Sequence, residues 1–169
     1  MDNIVLIGMP GTGKSTVGVV LAKLLGFDFI DTDLVMAKRA GRPLSEIITQ
    51  DGYDRFIELE GKTGEELICH RTVIATGGSM VFSESAMKNL SRLGLVVWLD
   101  TPAEVIEQRI GGALEARGVA TARAMTVKEI YADRQPLYRR WAQLRLPCEG
   151  NTEQVVAALK AALENYQKA

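Results

Sequence analysis

The chain has 169 residues, 47% of them hydrophobic, which suffices for one sizeable core and points to a single domain. Its 20 basic and 21 acidic residues leave a net charge of −1, so no global field attracts nucleic acid, and no run of eighteen apolar residues points to a membrane. A cytoplasmic monomer with a small-molecule partner, and no nucleic-acid or membrane partner, is expected; Cys69, Cys148 and the lone His70 lack zinc-site spacing.

Ile4 to Ile7 is an apolar run of strand length, and Lys14 to Leu25 carries helical spacing through Val17, Val20, Leu21 and Leu24. Between them lies Gly8-Met9-Pro10-Gly11-Thr12-Gly13-Lys14-Ser15, which fits the phosphate-wrapping pattern G-x-x-x-x-G-K-[ST]. Its glycines let backbone N–H groups turn inward, and the following helix points its N-terminus at the same place. Gly11, Thr12, Gly13, Lys14, Ser15 and Thr16 are therefore assigned to ATP or GTP, with Lys14 as a point charge for the β and γ phosphates and the Ser15 hydroxyl as a ligand for Mg²⁺.

Gly26 reads as a helix stop, and Phe27 to Ile30 as a strand that ends in Asp31-Thr32-Asp33. Carboxylates at the carboxyl end of a strand stand where open α/β sheets bind ligands, although Asp33 could also cap a helix that starts at Leu34. Helices are read over 34–40 and 44–50, and a longer one runs from Tyr53 to His70. Phe56, Glu60, Thr63 and Leu67 line one side of that long helix, while Gly61 and Gly64 on another side suit close backbone packing.

Thr72 to Thr76 is a third strand, with Gly77-Gly78-Ser79 as a glycine-rich exit that is either a turn or a second ligand-side loop. Leu95 to Leu99 is a fourth, followed by Asp100-Thr101-Pro102 and a helix from Ala103 to Ile110. Residues 109–126 mix glycine and arginine and read as a mobile flap or a plain loop. A helix over 127–139, a possible strand at 144–146 and an amphipathic helix over 152–166 complete the chain. Alternating strands and helices imply an α/β fold, a parallel sheet covered on both faces.

Taken in order, these motifs resemble the shikimate kinase family of P-loop, nucleoside-monophosphate-kinase-like enzymes. The carrying pieces are 8–15, Asp31-Thr32-Asp33, the helix start at 52–60, Ala75-Thr76-Gly77-Gly78, Val97-Trp98-Leu99-Asp100 and Arg134 with Pro136-Leu137-Tyr138. The resemblance implies a five-stranded parallel sheet in a three-layer sandwich, an acceptor-binding subdomain near 33–61 and a lid near 111–126. It implies transfer of a phosphoryl group from ATP to shikimate, with Lys14, Asp33 and Arg117 catalytic. Asp31 would help hold Mg²⁺ through water, Asp33 would take or orient the acceptor's proton, and Arg117 would reach the phosphoryl from the lid. Arg109 would lie near adenine, and Gly77, Gly78, Ser79, Arg134 and the residue at position 57 would meet the acceptor.

Three positions depart from the family pattern: Ile57 replaces an arginine that grips the shikimate carboxylate, Ser79 replaces a glycine, and Arg117-Gly118-Val119-Ala120 replaces Arg-Pro-Leu-Leu. All three lie on the acceptor side or the lid. A relative with another hydroxylated acceptor is therefore the second reading. A nucleotide-binding module without transfer is the third, and retention of Lys14, Ser15, Asp31, Asp33 and Arg117 argues against it.

Overall fold

The computed structural model describes residues 2–110, 119–121 and 123–168. Among them, strands β1 (Ile4–Ile7), β2 (Asp28–Asp31), β3 (Thr72–Ala75), β4 (Leu95–Asp100) and β5 (Leu144–Pro147) form one sheet in the order β2-β3-β1-β4-β5, and every pair is parallel. Helices α1 (Lys14–Leu25), α2 (Thr32–Ala40), α3 (Leu44–Glu65), α4 (Glu84–Leu93), α5 (Ala103–Ile110), α6 (Val127–Trp141) and α7 (Thr152–Lys168) connect and cover it.

The apolar runs read as strands occupy the sheet centre, because a parallel strand covered on both faces has no polar side to show. Successive side chains then serve opposite cores. Ile4 and Leu6 join Val17, Leu21, Leu159 and Leu163 beneath α1 and α7, while Val5 and Ile7 join Met87, Leu90, Trp98 and Tyr138 under α4 and α6. A smaller cluster of Met36, Ile47, Phe56 and Ala120 ties α2 and α3 to the chain beyond α5. From β3 on one side of β1 the chain passes to β4 on the other, so the carboxyl end of β1 lies at a switch in strand order, where open sheets hold ligands.

Several boundaries differ from the sequence reading. Helix α2 starts at Thr32 rather than Leu34, and its cap is Asp31, which accepts the Asp33 N–H at 2.9 Å. Capping therefore falls to Asp31, and the alternative reading of Asp33 as a cap for a helix starting at Leu34 does not hold. The helices expected over 44–50 and from Tyr53 form α3, kinked at Gly52, whose φ of 82° a side chain rarely adopts. Helix α3 ends at Glu65, short of His70, although Leu67 still packs inward.

Helix α4 was not read from the sequence. Ser83 caps it by accepting the Ala86 N–H, and Ala86, Met87 and Leu90 bury one face. A Cβ at Gly61 would meet Ser83 Oγ at 2.8 Å, and one at Gly64 would meet Met80 Sδ at 2.6 Å, so both glycines serve packing on α3. No helix among the described residues is long and apolar enough to cross a membrane.

Candidate active site

The turn after β1 adopts the conformation its glycines permit, with φ of 146° at Gly8, 80° at Gly11 and 93° at Gly13. Gly13 is also the residue before α1 and offers no side-chain cap, so the first N–H groups of that helix stay open toward solvent or ligand. The Lys14 ammonium, on a residue 7% exposed, donates to the Gly8 carbonyl at 2.7 Å and the Met9 carbonyl at 2.8 Å. It therefore braces the loop from within. Burial lowers its pKa to about 8, opposed most strongly by the negative charge of Asp33.

Ser15 and the end of β2 meet directly, for the Ser15 hydroxyl donates to Asp31 Oδ2 at 2.6 Å. Asp33, the second residue of α2, faces a cavity of about 260 Å³ whose wall also includes Gly11, Gly13, Lys14, Ser15, Thr16, Phe56, Glu60, Gly77, Gly78, Ser79, Val119, Ala120 and Arg134. Burial, and next the charge of Asp31, raise the Asp33 pKa to about 6 against the pull of Lys14. It is placed and poised to hold a proton near neutral pH.

Gly77 and Gly78 line the same cavity, with Gly78 against Pro10 of the phosphate loop. The Gly77 N–H donates to Thr32 Oγ1 at 3.0 Å, and the Gly78 carbonyl accepts the Tyr138 hydroxyl at 2.7 Å, so the strand exit is held from two sides. A Cβ at Gly77 would lie 1.9 Å from Glu60 Oε1 and 2.7 Å from Asp33 Oδ1. Arg134, 2% exposed, donates to the Ala120 carbonyl at 2.8 Å and lies over the Phe82 ring at 5.4 Å.

Glu60 went unassigned in the sequence reading. It is 2% exposed, and burial first, then Asp33, raise its pKa to about 8. The available signal was its place on the stripe Phe56, Glu60, Thr63, Leu67: an acid on an otherwise inward-facing side of a helix needs a partner or a task.

The other assignments divide. Thr16 lines the cavity, whereas Thr12 is buried beside it with its hydroxyl unpartnered. Arg109 flanks the phosphate loop from α5, donating to the Gly11 and Thr12 carbonyls at 3.4 and 3.2 Å. Ile57 is not brought to the cavity wall; it packs beside the Met36, Ile47 and Phe56 cluster and borders an outer groove with Glu58 and Gly61. Arg117 lies outside the described residues, as does most of the expected lid over 111–126.

Comparison with known proteins decides among kinases built on this loop. The family model described as shikimate kinase matches residues 10–164. The chain belongs to the shikimate kinase family. The shikimate kinase of Thermodesulfovibrio yellowstonii is 39% identical over 163 residues, covering 93% of this chain and 91% of that protein. The shikimate kinase of Persephonella marina is 35% identical over 153 residues, covering 90% and 92%. Among solved structures, the Acinetobacter baumannii shikimate kinase in complex with shikimate superposes with a TM-score of 0.86 at 29% identity, covering 98% of this chain and 94% of that one. A gluconokinase from Sinorhizobium meliloti shares the fold at a TM-score of 0.55 and 18% identity.

Proposed function

We propose that this chain transfers the γ-phosphoryl group of ATP to a hydroxyl of a small acceptor, with shikimate, giving 3-phosphoshikimate and ADP, as the first reading. Gly11, Gly13 and the open N-terminus of α1 form a cradle for phosphate oxygens, beside a buried ammonium and an unpartnered Thr12 hydroxyl. Ser15 and Asp31 supply oxygen ligands of the kind Mg²⁺ takes and would hold it there, where its charge screens the phosphates. Asp33 receives or orients the acceptor's proton, and Arg134 meets the acceptor's acid group. In this reading residues 33–61 form the acceptor subdomain, 111–126 the lid, and Arg117 reaches the phosphoryl from it.

The observation that carries the proposal is that one cavity joins the phosphate loop, through Lys14 and Ser15, to an acid, Asp33. Phosphoryl transfer asks of a protein chiefly that it position donor and acceptor and balance charge between them. Steady-state assay of the purified chain with ATP, Mg²⁺ and shikimate, with 3-phosphoshikimate identified as the product, tests it. Acceptor-independent ATP hydrolysis alone would reject it.

A second reading, a different hydroxylated acceptor, is favoured by Ile57, which offers no hydrogen-bond donor at that position of α3.

A further inference from the structure

Helix α6 carries Arg134 to the cavity wall, and its sequence weakens it at that residue. Pro136 lies inside the helix and has no N–H to give the Ala132 carbonyl, so the turn that holds Arg134 lacks one hydrogen bond of its own. A guanidinium that grips an acid group does so as a rigid fork, and its orientation must be fixed by something firmer than such a turn. Two hydroxyl groups hold the helix from outside, one on each side of Arg134.

Tyr131, Arg134 and Tyr138 follow one another at spacings of three and four, which places them along one stripe of α6. On one side of Arg134 the Tyr131 hydroxyl donates to Asp100 Oδ1 at 2.8 Å, and Asp100 is fixed in turn by Arg145 Nε, which donates to its Oδ2 at 2.8 Å. This ties the helix to β4 and β5. On the other side the fully buried Tyr138 stacks on Trp98 with ring centroids 6.0 Å apart, and its hydroxyl donates to the Gly78 carbonyl at 2.7 Å. Gly78 is also the residue that Arg134 packs against, since a Cβ there would lie 2.9 Å from Arg134 Nη1. The Tyr138 hydroxyl therefore keeps guanidinium and strand exit in register.

We propose that Tyr131 and Tyr138 are positioning residues for acceptor binding, which act by holding the Arg134 guanidinium in place against Gly78. This rests on the reading of Arg134 as the group that meets the acceptor's acid. Neither tyrosine lines the cavity, so both act through Arg134 rather than on the acceptor itself. An arginine binds a carboxylate through two parallel donors, and a small rotation of its helix loses one of them, whereas the compact ammonium of a lysine tolerates the same rotation. The phosphate cradle is built from the turn after β1 and the start of α1, and neither tyrosine hydroxyl bonds to it. Loss of the hydroxyls is therefore felt by the acceptor and not by ATP.

The test is shikimate-dependent ADP release by the purified full chain and by Tyr131→Phe and Tyr138→Phe, which keep the rings and remove the hydroxyls. Each change should raise the KM for shikimate about twofold to tenfold, the worth of one hydrogen bond, with the KM for ATP within about twofold of the unmodified value. Made on Arg134→Lys, whose flexible point charge needs no fixed orientation, the same changes should alter the KM for shikimate by less than about twofold. An unchanged KM for shikimate in the single variants, equal rises for both substrates, or the full factor repeated on Arg134→Lys would overturn the positioning role while leaving the kinase reading intact. Absence of shikimate-dependent ADP from the unmodified chain would overturn both.

Discussion

The Ser15 hydroxyl donates to Asp31 Oδ2 at 2.6 Å, while Asp31 Oδ1 accepts the Asp33 N–H at 2.9 Å, so one carboxylate joins the phosphate loop, the end of β2 and the start of α2. These two tasks separate by substitution. Asparagine caps a helix as well as aspartate does but carries no charge for a cation. Asp31→Asn should therefore melt near the unmodified protein while needing roughly 10- to 100-fold more Mg²⁺ for half-maximal turnover. Asp31→Ala should lose in addition about 1 kcal/mol of stability. Mg²⁺ titration of turnover and denaturant melts on the three proteins check both halves.

Lys14→Ala should lower turnover by about a hundredfold or more, as loss of a positioned donor at developing charge does. The sequence suggests an ammonium that meets only phosphate. In the structure it also holds two loop carbonyls, so the substitution should speed amide hydrogen exchange across residues 8–13 before any nucleotide is added. Unchanged exchange there would mean that the loop holds its shape without the lysine.

What the sequence made legible followed from strong local physics. The continuous apolar runs of β1, β3 and β4 and the glycine-spaced loop before α1 leave few other structures open to them. Helix α4 escaped notice although Ser83 and the spacing of Ala86, Met87 and Leu90 announce it, because the preceding glycine-rich exit of β3 reads as loop. The cap fell to Asp31 rather than Asp33 because it is decided by backbone conformation at one residue, and Asp31, extended at φ −105°, adopts it. Glu60 was hidden for another reason: its importance lies in Asp33, Arg134 and Gly77, which come from three distant segments and meet only in the fold.

Gly77→Ala should raise the KM for the acceptor strongly while leaving that for ATP within about twofold, a difference under 0.5 kcal/mol. The added methyl would overlap Glu60 Oε1 at 1.9 Å and Asp33 Oδ1 at 2.7 Å, which can swing aside only by leaving their places on the cavity wall. Comparable losses for both substrates would show that the strand exit is a structural turn alone.

Stability should depend on pH with a sign set by Glu60. Its pKa is about 8 in the fold against an ordinary value of 4.5, so between those limits the folded state binds more protons than the unfolded one. Stability therefore falls as pH rises from 4.5 to about 8. Asp33 adds to the fall between 3.8 and about 6. Lys14 acts oppositely at higher pH: held near 8 in the fold against an ordinary 10.5, it makes stability rise again across that interval. Melting curves of the unliganded protein and of Glu60→Gln check this, with the variant expected to lose most of the decline between pH 6 and 8.

The central claim is that Asp33 faces an acceptor hydroxyl across from bound ATP. The most direct measurement is acceptor-dependent ADP release, followed together with ATP binding, in the unmodified chain and in Asp33→Asn. Asp33→Asn should lose about a hundredfold or more of acceptor-dependent turnover, the scale of positioned acid–base catalysis, while binding ATP as before. Equal turnover in the two proteins, or ADP release that never depends on an acceptor, would contradict it.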